Sequence, residues 1–336
     1  MRAMILKSPA PIESRPLALA DVPAPAPADG EVLVRVHVCG VCRTDLHTVE
    51  GDIALRRRPV IPGHQAVGTV EACGRGVEGV EIGRRVGVAW LHDTCGRCGF
   101  CAGGRENLCR DARFTGLDFD GGYAEYATAR ADYVYGLPEG FLTDEQAAPL
   151  LCAGIIGYRA LRRSGLAPGG RLGIYGFGAS AHVTIQVAKF RGCQIYVCTR
   201  GETHRQLARD LGADWVGDEA EPPPAALDAA ILFAPAGNLV PPALKALREG
   251  GTLALAGIHL SDIPAMSYQE HLFHERTLTS VTANTRQDGR ELLALAARIP
   301  IRTEVAIFPL EQANEALQNV KDSTMRGAGV LRIAEQ

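Results

Sequence analysis

The chain has 336 residues, of which 46% are hydrophobic and 22% charged, and its formal net charge is −3. This is the composition of an ordinary soluble globular protein that is long enough for two domains. The small charge and the lack of a basic stripe argue against a nucleic-acid or anionic-membrane partner. No apolar run approaches the ~18 residues of a membrane span, and the first residues lack the pattern of a secretion signal. We therefore expect a cytoplasmic protein.

The first part of the chain predicts a β-rich domain. Valines alternate with other residues from Val32 to Val38, which is the period of a half-buried strand. Two more short apolar runs follow at 66–70 and 85–89, with glycines between them. Many short strands with glycine-containing turns are typical of a compact barrel-like domain. We assign this domain to residues 1–150.

Beyond residue 150 the pattern changes to alternating helices and strands. After a short helix at 155–163, strands are predicted at 172–175, 195–198, 229–233 and 252–256, with helices up to Phe190, at 203–211 and at 239–248. Alternation of this length is typical of βαβ units on a doubly wound parallel sheet, which gives an α/β domain over 151–288. The tail predicts helices at 291–297 and 310–320 and strands at 305–308 and 330–333. By sequence alone the tail could extend either domain.

Four of the ten cysteines form a C-x2-C-x2-C-x7-C motif within residues 93–110, at Cys95, Cys98, Cys101 and Cys109. Thiolates at this spacing can surround one tetrahedral zinc ion with no open position, which is the pattern of a structural site. Disulfides or a redox pair are the alternatives that the expected compartment disfavours, and an iron–sulfur cluster is the more serious one. The motif therefore favours a structural zinc lobe. We read Cys39, Cys73, Cys193 and Cys198 as small core residues.

A second set of metal-ligand candidates starts just after the first predicted strand. Within the stretch from Cys39 to His47, Cys42 supplies a thiol, and a histidine and another cysteine follow at His64 and Cys152. A Cys2His set is used by catalytic zinc, where three protein ligands leave the fourth position open. Together with the four-cysteine lobe, these motifs resemble the zinc-dependent alcohol dehydrogenases of the medium-chain dehydrogenase/reductase family, and the resemblance covers nearly the whole chain.

The resemblance implies a role for each residue of this stretch. Cys42, His64 and Cys152 would bind the catalytic zinc, and Asp45 would hold the ligand imidazole in one tautomer. Thr44 would hydrogen-bond the substrate oxygen, and His47 would pass the proton to solvent. This relay is needed because an alcohol gives up a hydride readily only when its oxygen has alkoxide character.

Simpler roles remain open for several of these residues. Asp45 could be a helix cap, His47 a surface histidine, and His64 a hydrogen-bonded loop histidine. Trp90 matches a position that lines the substrate pocket in relatives, although an isolated tryptophan is more often a core residue.

Two residues depart from the family pattern. Gln65 stands where the family commonly has a glutamate after the ligand histidine, and a neutral amide cannot act as an alternative anionic ligand. Ile156 stands where many relatives have a threonine near the nicotinamide. We expect neither difference to abolish activity.

The dinucleotide fingerprint appears in its G-x-G-x-x-A form at Gly176, Gly178 and Ala181, between an apolar strand and an apolar helix. Glycines at these positions allow a tight turn and close approach of the pyrophosphate to the helix N-terminus. Arg43 resembles a family position that contacts the pyrophosphate, although it could also be simply exposed.

The end of the second strand of this domain bears on the choice of cofactor. NAD enzymes usually have an acidic residue there, about 20 residues after the fingerprint. This chain has Thr199 and Arg200 instead, followed by His204 and Arg205. Such residues can bind a 2′-phosphate that a carboxylate would repel. We therefore favour NADP(H) over NAD(H), the alternative being a solvated Arg200 and weak selectivity.

The resemblance also implies an architecture and partners. It predicts a GroES-like catalytic domain and a Rossmann domain with the active site in the cleft between them, a tail (289–336) that returns to the first domain, one catalytic and one structural zinc per chain, and a homodimer or homotetramer. The expected reaction is hydride transfer between an alcohol or aldehyde and a nicotinamide cofactor. The rivals are a zinc-independent enone or quinone reductase of the same fold, and a non-catalytic zinc- and nucleotide-binding scaffold or redox sensor.

Overall fold

The computed structural model describes residues 1–138, 140, 142–219 and 221–334. These residues form two compact units, which we describe separately. Unit 1 contains Met1–Cys152, Ala283–Arg298 and the chain from Arg302 on, and unit 2 contains Ala153–Thr282 and Ile299–Ile301. Among the residues described, no helix has both the length and the apolar character that crossing a membrane requires.

The described residues of the first segment of unit 1 form nine strands and three short α-helices, besides short 3₁₀ turns. The strands are β1 (Arg2–Leu6), β2 (Leu17–Asp21), β3 (Glu31–Val41), β4 (Ala66–Cys73), β5 (Arg85–Val88), β6 (Leu91–Asp93), β7 (Arg113–Phe114), β8 (Tyr126–Arg130) and β9 (Tyr135–Gly136). The helices are α1 (Arg43–Glu50), α2 (Gly99–Ala102) and α3 (Asp144–Ala147). The predicted strands at 32–38, 66–70 and 85–89 are thus present, and β3 is longer than predicted.

Unit 2 is the predicted alternation of helices and strands. Its helices are α4 (Ala153–Arg163), α5 (Ala179–Phe190), α6 (Glu202–Asp210), α7 (Val240–Lys245) and α8 (Tyr268–His271). Its strands are β10 (Arg171–Tyr175), β11 (Gln194–Cys198), β12 (Trp215–Gly217), β13 (Leu227–Leu232), β14 (Leu247–Leu255) and β15 (Thr277–Ser280). They pair in the order β12-β11-β10-β13-β14-β15, and every pairing is parallel. The order reverses between β10 and β13, which is the topological switch point of a doubly wound sheet.

One helix of unit 2 was predicted too long. The predicted helix at 239–248 ends at Lys245, because Leu247 already pairs with Leu227 of the neighbouring strand. Strand pairing therefore overrides the local helix preference of these residues. The same pairing makes β14 five residues longer at its start than the predicted strand at 252–256.

The tail adds α9 (Arg286–Ala296), β16 (Val305–Pro309), α10 (Ala313–Lys321) and β17 (Ala328–Arg332). Helix α9 begins earlier than the predicted helix at 291–297, because the Thr285 hydroxyl accepts the Asp288 N–H at 3.2 Å and caps it. The strands β16 and β17 extend the main sheet of unit 1, whose order is β16-β17-β3-β4-β5-β9, with β8 also paired to β3.

The boundaries of the compact units differ slightly from the predicted domains. The chain passes from unit 1 to unit 2 at Cys152/Ala153 and returns at Thr282/Ala283, and the short stretch Ile299–Ile301 also belongs to unit 2; the predicted domain limits are residues 150 and 288. Strand β3 is central to unit 1, and Val32, Val34 and Val36 are fully buried in its core. The edge cysteine Cys73 is only half-buried, whereas Cys39, Cys193 and Cys198 are core residues as predicted.

Candidate metal and cofactor sites

Antiparallel pairing of β3 with β4 brings the first two ligand candidates together. Cys39 pairs with Ala66, and the Gly40 N–H donates to the Gln65 carbonyl at 3.0 Å. Cys42, just after β3, therefore lies beside His64, just before β4. Gly63 makes this turn possible: its φ is +98°, and a Cβ there would lie 2.4 Å from the Tyr123 ring. Only glycine satisfies both conditions.

Cys152 reaches the same place from the far end of unit 1. It follows a 3₁₀ turn whose Leu150 and Leu151 are fully buried. Leu151 packs over Gly87 of β5 so closely that a Cβ on the glycine would lie 2.5 Å from its side chain. The missing side chain at Gly87 thus lets the turn settle on the sheet and directs Cys152 towards His64.

The three side chains have the geometry of a tetrahedral metal site. His64 Nε2 lies 3.4 Å from Cys42 Sγ and 3.3 Å from Cys152 Sγ, and all three ligand atoms lie within 4.8 Å of one another. A zinc ion with Zn–S of about 2.3 Å and Zn–N of about 2.0–2.1 Å separates tetrahedral S and N ligands by about 3.6 Å. The donor set therefore fits a zinc ion without rearrangement.

The electrostatic field at this cluster also favours a cation. Burial opposes a charge on His64, but the Asp45 carboxylate and the Cys42 sulfur outweigh it and raise the pKa of His64 to about 10. The adjacent Cys152 thiol and burial raise the pKa of Cys42 well above its ordinary value. The cluster thus attracts positive charge, and its thiols would need a cation beside them to ionise.

Asp45 holds two of the ligands at once. Its Oδ2 accepts the Cys42 backbone N–H at 2.9 Å, which also caps α1, and its Oδ1 lies 2.9 Å from His64 Nδ1. Asp45 and His64 are 2% and 1% exposed, so neither contact is weakened by solvent. One carboxylate therefore caps α1 and also lies beside the imidazole nitrogen, which is the position that the predicted orienting role requires.

Thr44 and His47 lie on one side of α1, three residues apart. The structure adds a partner that the sequence analysis missed: His47 Nδ1 lies 2.7 Å from Asp52 Oδ2. Trp90 is half-buried, with its ring 4.9 Å from that of His64 and stacked on Phe114 at 4.8 Å. This places Trp90 at the edge of the ligand cluster rather than in a remote core.

The four cysteines of the lobe form the second cluster. Their sulfur atoms lie within 4.8 Å of one another, with Cys98–Cys101 and Cys95–Cys109 separations of 3.5 Å. A tetrahedral zinc with four sulfur ligands separates them by about 3.8 Å. All ten cysteines lie in the described residues and each is a free thiol, so the disulfide alternative finds no support. Hydrogen bonds from the Arg97 and Cys98 backbone lower the pKa of Cys95 to about 6, whereas burial raises the pKa of Cys109 to about 11.

The lobe is fastened to the tail within unit 1. Glu106 is 4% exposed, and its Oε1 accepts both the backbone N–H and the Nε–H of Arg286, at 2.9 and 3.4 Å. The Arg286 guanidinium also lies over the Tyr133 ring, 4.6 Å from its centroid. The lobe is thereby held to the start of α9, a contact that the cysteine spacing gives no sign of.

The fingerprint glycines of unit 2 lie between β10 and α5, as predicted. Gly176 has φ +85°, and a Cβ there would lie 2.8 Å from the Ala234 nitrogen, so the tight turn requires glycine. Gly178 caps the 12-residue helix α5, and a Cβ on it would meet no atom within 4 Å. The space beside the helix N-terminus is therefore open to a ligand, as dinucleotide binding requires. Ala181 is fully buried.

The proposed 2′-phosphate residues already have partners. Arg200 Nε lies 3.0 Å from Glu219, and Arg205 Nη2 donates to Asp218 at 2.6 Å. Thr199 is 3% exposed, and its carbonyl accepts the Arg205 Nε–H at 3.1 Å. Asp218 and Glu219 follow β12, the neighbour of β11, so carboxylates reach this edge from a strand that the sequence analysis did not consider.

The structure also locates Arg43, His204 and the two residues that depart from the family pattern, Gln65 and Ile156. The Arg43 Nη2 donates to the Val320 carbonyl at 3.0 Å and to Ser323 Oγ at 3.2 Å, so it is tied to the tail of unit 1. His204 is half-buried on α6 and Ile156 half-buried on α4. Gln65 is 2% exposed and packs against Gly40, where a Cβ would lie 2.9 Å away.

Comparison with known proteins gives consistent matches over the chain. Residues 28–139 match the alcohol dehydrogenase GroES-like domain and residues 181–298 the zinc-binding dehydrogenase domain. The sequence named "Probable alcohol dehydrogenase AdhA" from Mycobacterium tuberculosis (strain CDC 1551 / Oshkosh) is 52% identical over 99% of this chain and 97% of its own length. An alcohol dehydrogenase of Geobacillus stearothermophilus is 37% identical over 95% of this chain and 97% of its own.

A solved structure with the same fold is the cinnamyl alcohol dehydrogenase SbCAD4 from Sorghum bicolor. It has a TM-score of 0.89 and 27% identity, and it covers 99% of both chains. The fold, the two clusters and these identities lead to one conclusion: the chain belongs to the zinc-binding alcohol dehydrogenases of the medium-chain dehydrogenase/reductase family.

Proposed function

We propose that this protein is a zinc-dependent alcohol dehydrogenase that transfers a hydride between a primary or secondary alcohol, or the matching aldehyde or ketone, and a nicotinamide cofactor. The observation that carries the proposal is the convergence of Cys42, His64 and Cys152, whose ligand atoms lie within 4.8 Å of one another. Three ligands leave a fourth position for a substrate oxygen. The Sorghum relative named above carries its alcohol substrate in its name, which supports the same class here.

The chemistry divides between the bound groups and the chain. When bound, zinc supplies a Lewis acid for the substrate oxygen and the nicotinamide accepts or donates the hydride. Asp45 orients His64 through the 2.9 Å contact at Nδ1 and fixes the Cys42 backbone. Thr44 exchanges a proton with the substrate hydroxyl at its own Oγ1, and His47 passes that proton towards solvent. Trp90 forms one wall beside the substrate oxygen.

The test is a spectrophotometric screen of primary and secondary alcohols and their aldehydes or ketones with NADPH or NADP⁺ and with NADH or NAD⁺, together with zinc analysis. We expect turnover that is lost when zinc is removed and recovered when zinc is returned. Turnover of enones or quinones that survives chelation would favour the zinc-independent rival. Bound zinc with no hydride transfer to any compound would favour the non-catalytic scaffold.

The second zinc would be structural. The Cys95, Cys98, Cys101 and Cys109 thiolates would enclose it, which leaves no position for substrate. Its function would be to fix the lobe that Glu106 fastens to the tail. Zinc analysis of the purified protein should therefore give two ions per chain, of which one resists mild chelation.

For the cofactor we favour NADP(H), bound by Gly176, Gly178 and Ala181 with Arg43 near the pyrophosphate. Support comes from the end of β11, where Thr199 and Arg200 replace the usual carboxylate, with His204 and Arg205 in the next turn. Arg200 is 78% exposed and can turn from Glu219 towards a 2′-phosphate at little cost. An Arg200→Ala variant should raise the KM for NADPH about tenfold and leave that for NADH within twofold. A wild-type preference for NADH would refute this choice.

The proposal extends to the domain organisation and the assembly of the protein. We propose a GroES-like catalytic domain over about 1–150, a Rossmann domain over about 151–288 and a tail over 289–336 that belongs to the first.

Strand β15 is an edge of its sheet and could pair with a second copy. A homodimer or homotetramer would be seen by light scattering after size exclusion. Ten reduced thiols suit a cytoplasmic location, which fractionation would test.

A further inference from the structure

Two hydroxyl groups lead from the core of unit 1 to one cysteine of the lobe. Tyr133 Oη and Thr94 Oγ1 are 2.7 Å apart, and Thr94 Oγ1 lies 3.4 Å from Cys101 Sγ. The three atoms therefore form a continuous hydrogen-bonded chain. This contact differs in kind from the one at Cys95, whose sulfur accepts the backbone N–H of Cys98 at 3.4 Å.

Two separate segments of unit 1 bring these hydroxyls together. Thr94 directly follows β6, whose Asp93 pairs with Arg113 of β7. Tyr133 ends a 3₁₀ turn between β8 and β9 and is 7% exposed. The Arg286 guanidinium that lies over the tyrosine ring is also 3.1 Å from Asp132 in the same turn. The ring is therefore enclosed, and its hydroxyl is held towards Thr94.

The chemistry of the chain fixes its direction once the cysteine binds a metal. A cysteine that binds zinc is a thiolate, and a thiolate can only accept a hydrogen bond. Thr94 has a single hydroxyl proton, so it donates that proton to Cys101 Sγ and its oxygen accepts from Tyr133. Burial raises the pKa of Tyr133 above its ordinary value, so this hydroxyl keeps the proton that it donates. Each bond polarises the next, which makes Thr94 a stronger donor to the sulfur.

We propose that Thr94 and Tyr133 are positioning residues of the four-cysteine site, which hold the Cys101 thiolate in place and disperse its negative charge. A thiolate that accepts a hydrogen bond of this kind is less basic and less nucleophilic. The zinc at this site is therefore bound more tightly, and Cys101 is protected from electrophiles. The inference rests on the proposed structural zinc.

Unit 1 also supplies two matched control positions. Tyr135 is 5% exposed, and its hydroxyl accepts the Asn284 amide N–H at 3.4 Å. Thr69 is half-buried, and its Oγ1 lies 3.2 Å from His37 Nε2. The variants Tyr135→Phe and Thr69→Val thus each remove one hydroxyl whose partner is not a cysteine. They report what the loss of a hydroxyl costs apart from the metal site.

The test compares Thr94→Val, Thr94→Ser, Tyr133→Phe and the double variant T94V/Y133F with wild type and the two controls. Mild chelation first removes the catalytic zinc, and the remaining zinc is then titrated with a stronger chromophoric chelator. Alkylation of Cys101 by iodoacetamide in the zinc-loaded protein is followed separately by peptide mass spectrometry.

The expected changes follow the position of each residue in the chain. T94V should lower the zinc affinity of the lobe about tenfold and speed alkylation of Cys101 about tenfold, because the thiolate loses its donor. Y133F should change both quantities about threefold, because it removes only the polarising bond. T94S keeps the hydroxyl and should stay within twofold of wild type, as should T69V and Y135F.

The double variant shows whether Tyr133 acts through Thr94. If it does, T94V/Y133F should match T94V alone, and a full additional threefold loss would overturn the chain. If T94V retains the wild-type affinity and alkylation rate, or if the controls change as much as T94V, the positioning role is wrong and the structural zinc stands. If wild type holds no zinc after mild chelation, the structural zinc itself fails. Should T94V not fold, Y133F decides, since a wild-type alkylation rate at Cys101 in that variant would overturn the inference.

Discussion

Replacing Asp45 by asparagine should loosen the catalytic metal without unfolding the protein. The Asp45 carboxylate accepts the Cys42 N–H with one oxygen and faces His64 Nδ1 with the other, both at 2.9 Å. Asparagine has nearly the same shape but only one acceptor oxygen. One of the two buried donors would therefore face an NH₂ group instead of an acceptor.

Two independent estimates give the size of the effect. A buried donor without a partner costs about 1–3 kcal/mol. Loss of a group that orients a metal ligand typically lowers metal affinity about 10- to 100-fold, or about 1.4–2.8 kcal/mol. Because Asp45 is 2% exposed, water cannot replace the lost contact. We expect zinc affinity to fall by about 30-fold.

The assay is zinc competition against a chromophoric chelator, with metal content measured afterwards. The four-cysteine lobe serves as a reference within the molecule, so D45N should lose one zinc per chain at a chelator concentration that leaves wild type with two. Asp144→Asn is the matched control, since it neutralises another enclosed carboxylate that holds a histidine. If D45N retained both ions as tightly as wild type, Asp45 would not hold the ligands and the argument for this site would fail.

Three further predictions concern stability and the second metal. Burial raises the pKa of Asp144, but hydrogen bonds from His37 and Arg85 outweigh it and hold that pKa below its ordinary value. A depressed pKa stabilises the fold above the unfolded value of about 4 and stops doing so as the pH falls through the folded value. Calorimetry should therefore show Tm falling below about pH 4, and less steeply in D144N. Cys98→Ser should leave one zinc per chain, the ion that mild chelation removes, and should lower Tm. Two zinc ions per chain in this variant, as in wild type, would contradict the lobe assignment. Leu150→Ala, at a fully buried position, should lower the free energy of unfolding by about 2–5 kcal/mol in urea titration.

The sequence predicted the elements well where side-chain pattern and local structure agree. The alternating valines of β3 and the strand–glycine–helix signal around Gly176 are both present at the expected places. The prediction failed at 246–248, where a helical pattern is converted to strand by pairing of Leu247 with Leu227. That pairing joins residues 20 positions apart, and no local window contains both.

The candidate site was likewise predicted only in part from the sequence. The spacing of the four lobe cysteines and the residue types of Cys42, His64 and Cys152 indicate a metal-binding chemistry, because few residue types bind zinc. What the sequence could not give is the acidic partner of each basic group. Asp52 reaches His47 only because Gly51 reverses the chain, and Glu219 reaches Arg200 only because β12 lies beside β11.

The sequence by itself therefore determined which atoms are available: two sets of candidate metal ligands, a glycine-containing turn before a helix, and a hydroxyl–imidazole pair on one helix. The tertiary structure decided which of them meet. His64 lies 22 residues from Cys42, and Cys152 a further 88 residues on, yet their ligand atoms lie within 4.8 Å of one another. The register of β3 with β4 and the packing of Leu151 over Gly87 bring them there, because sheet pairing and core burial act on residues that are distant along the chain.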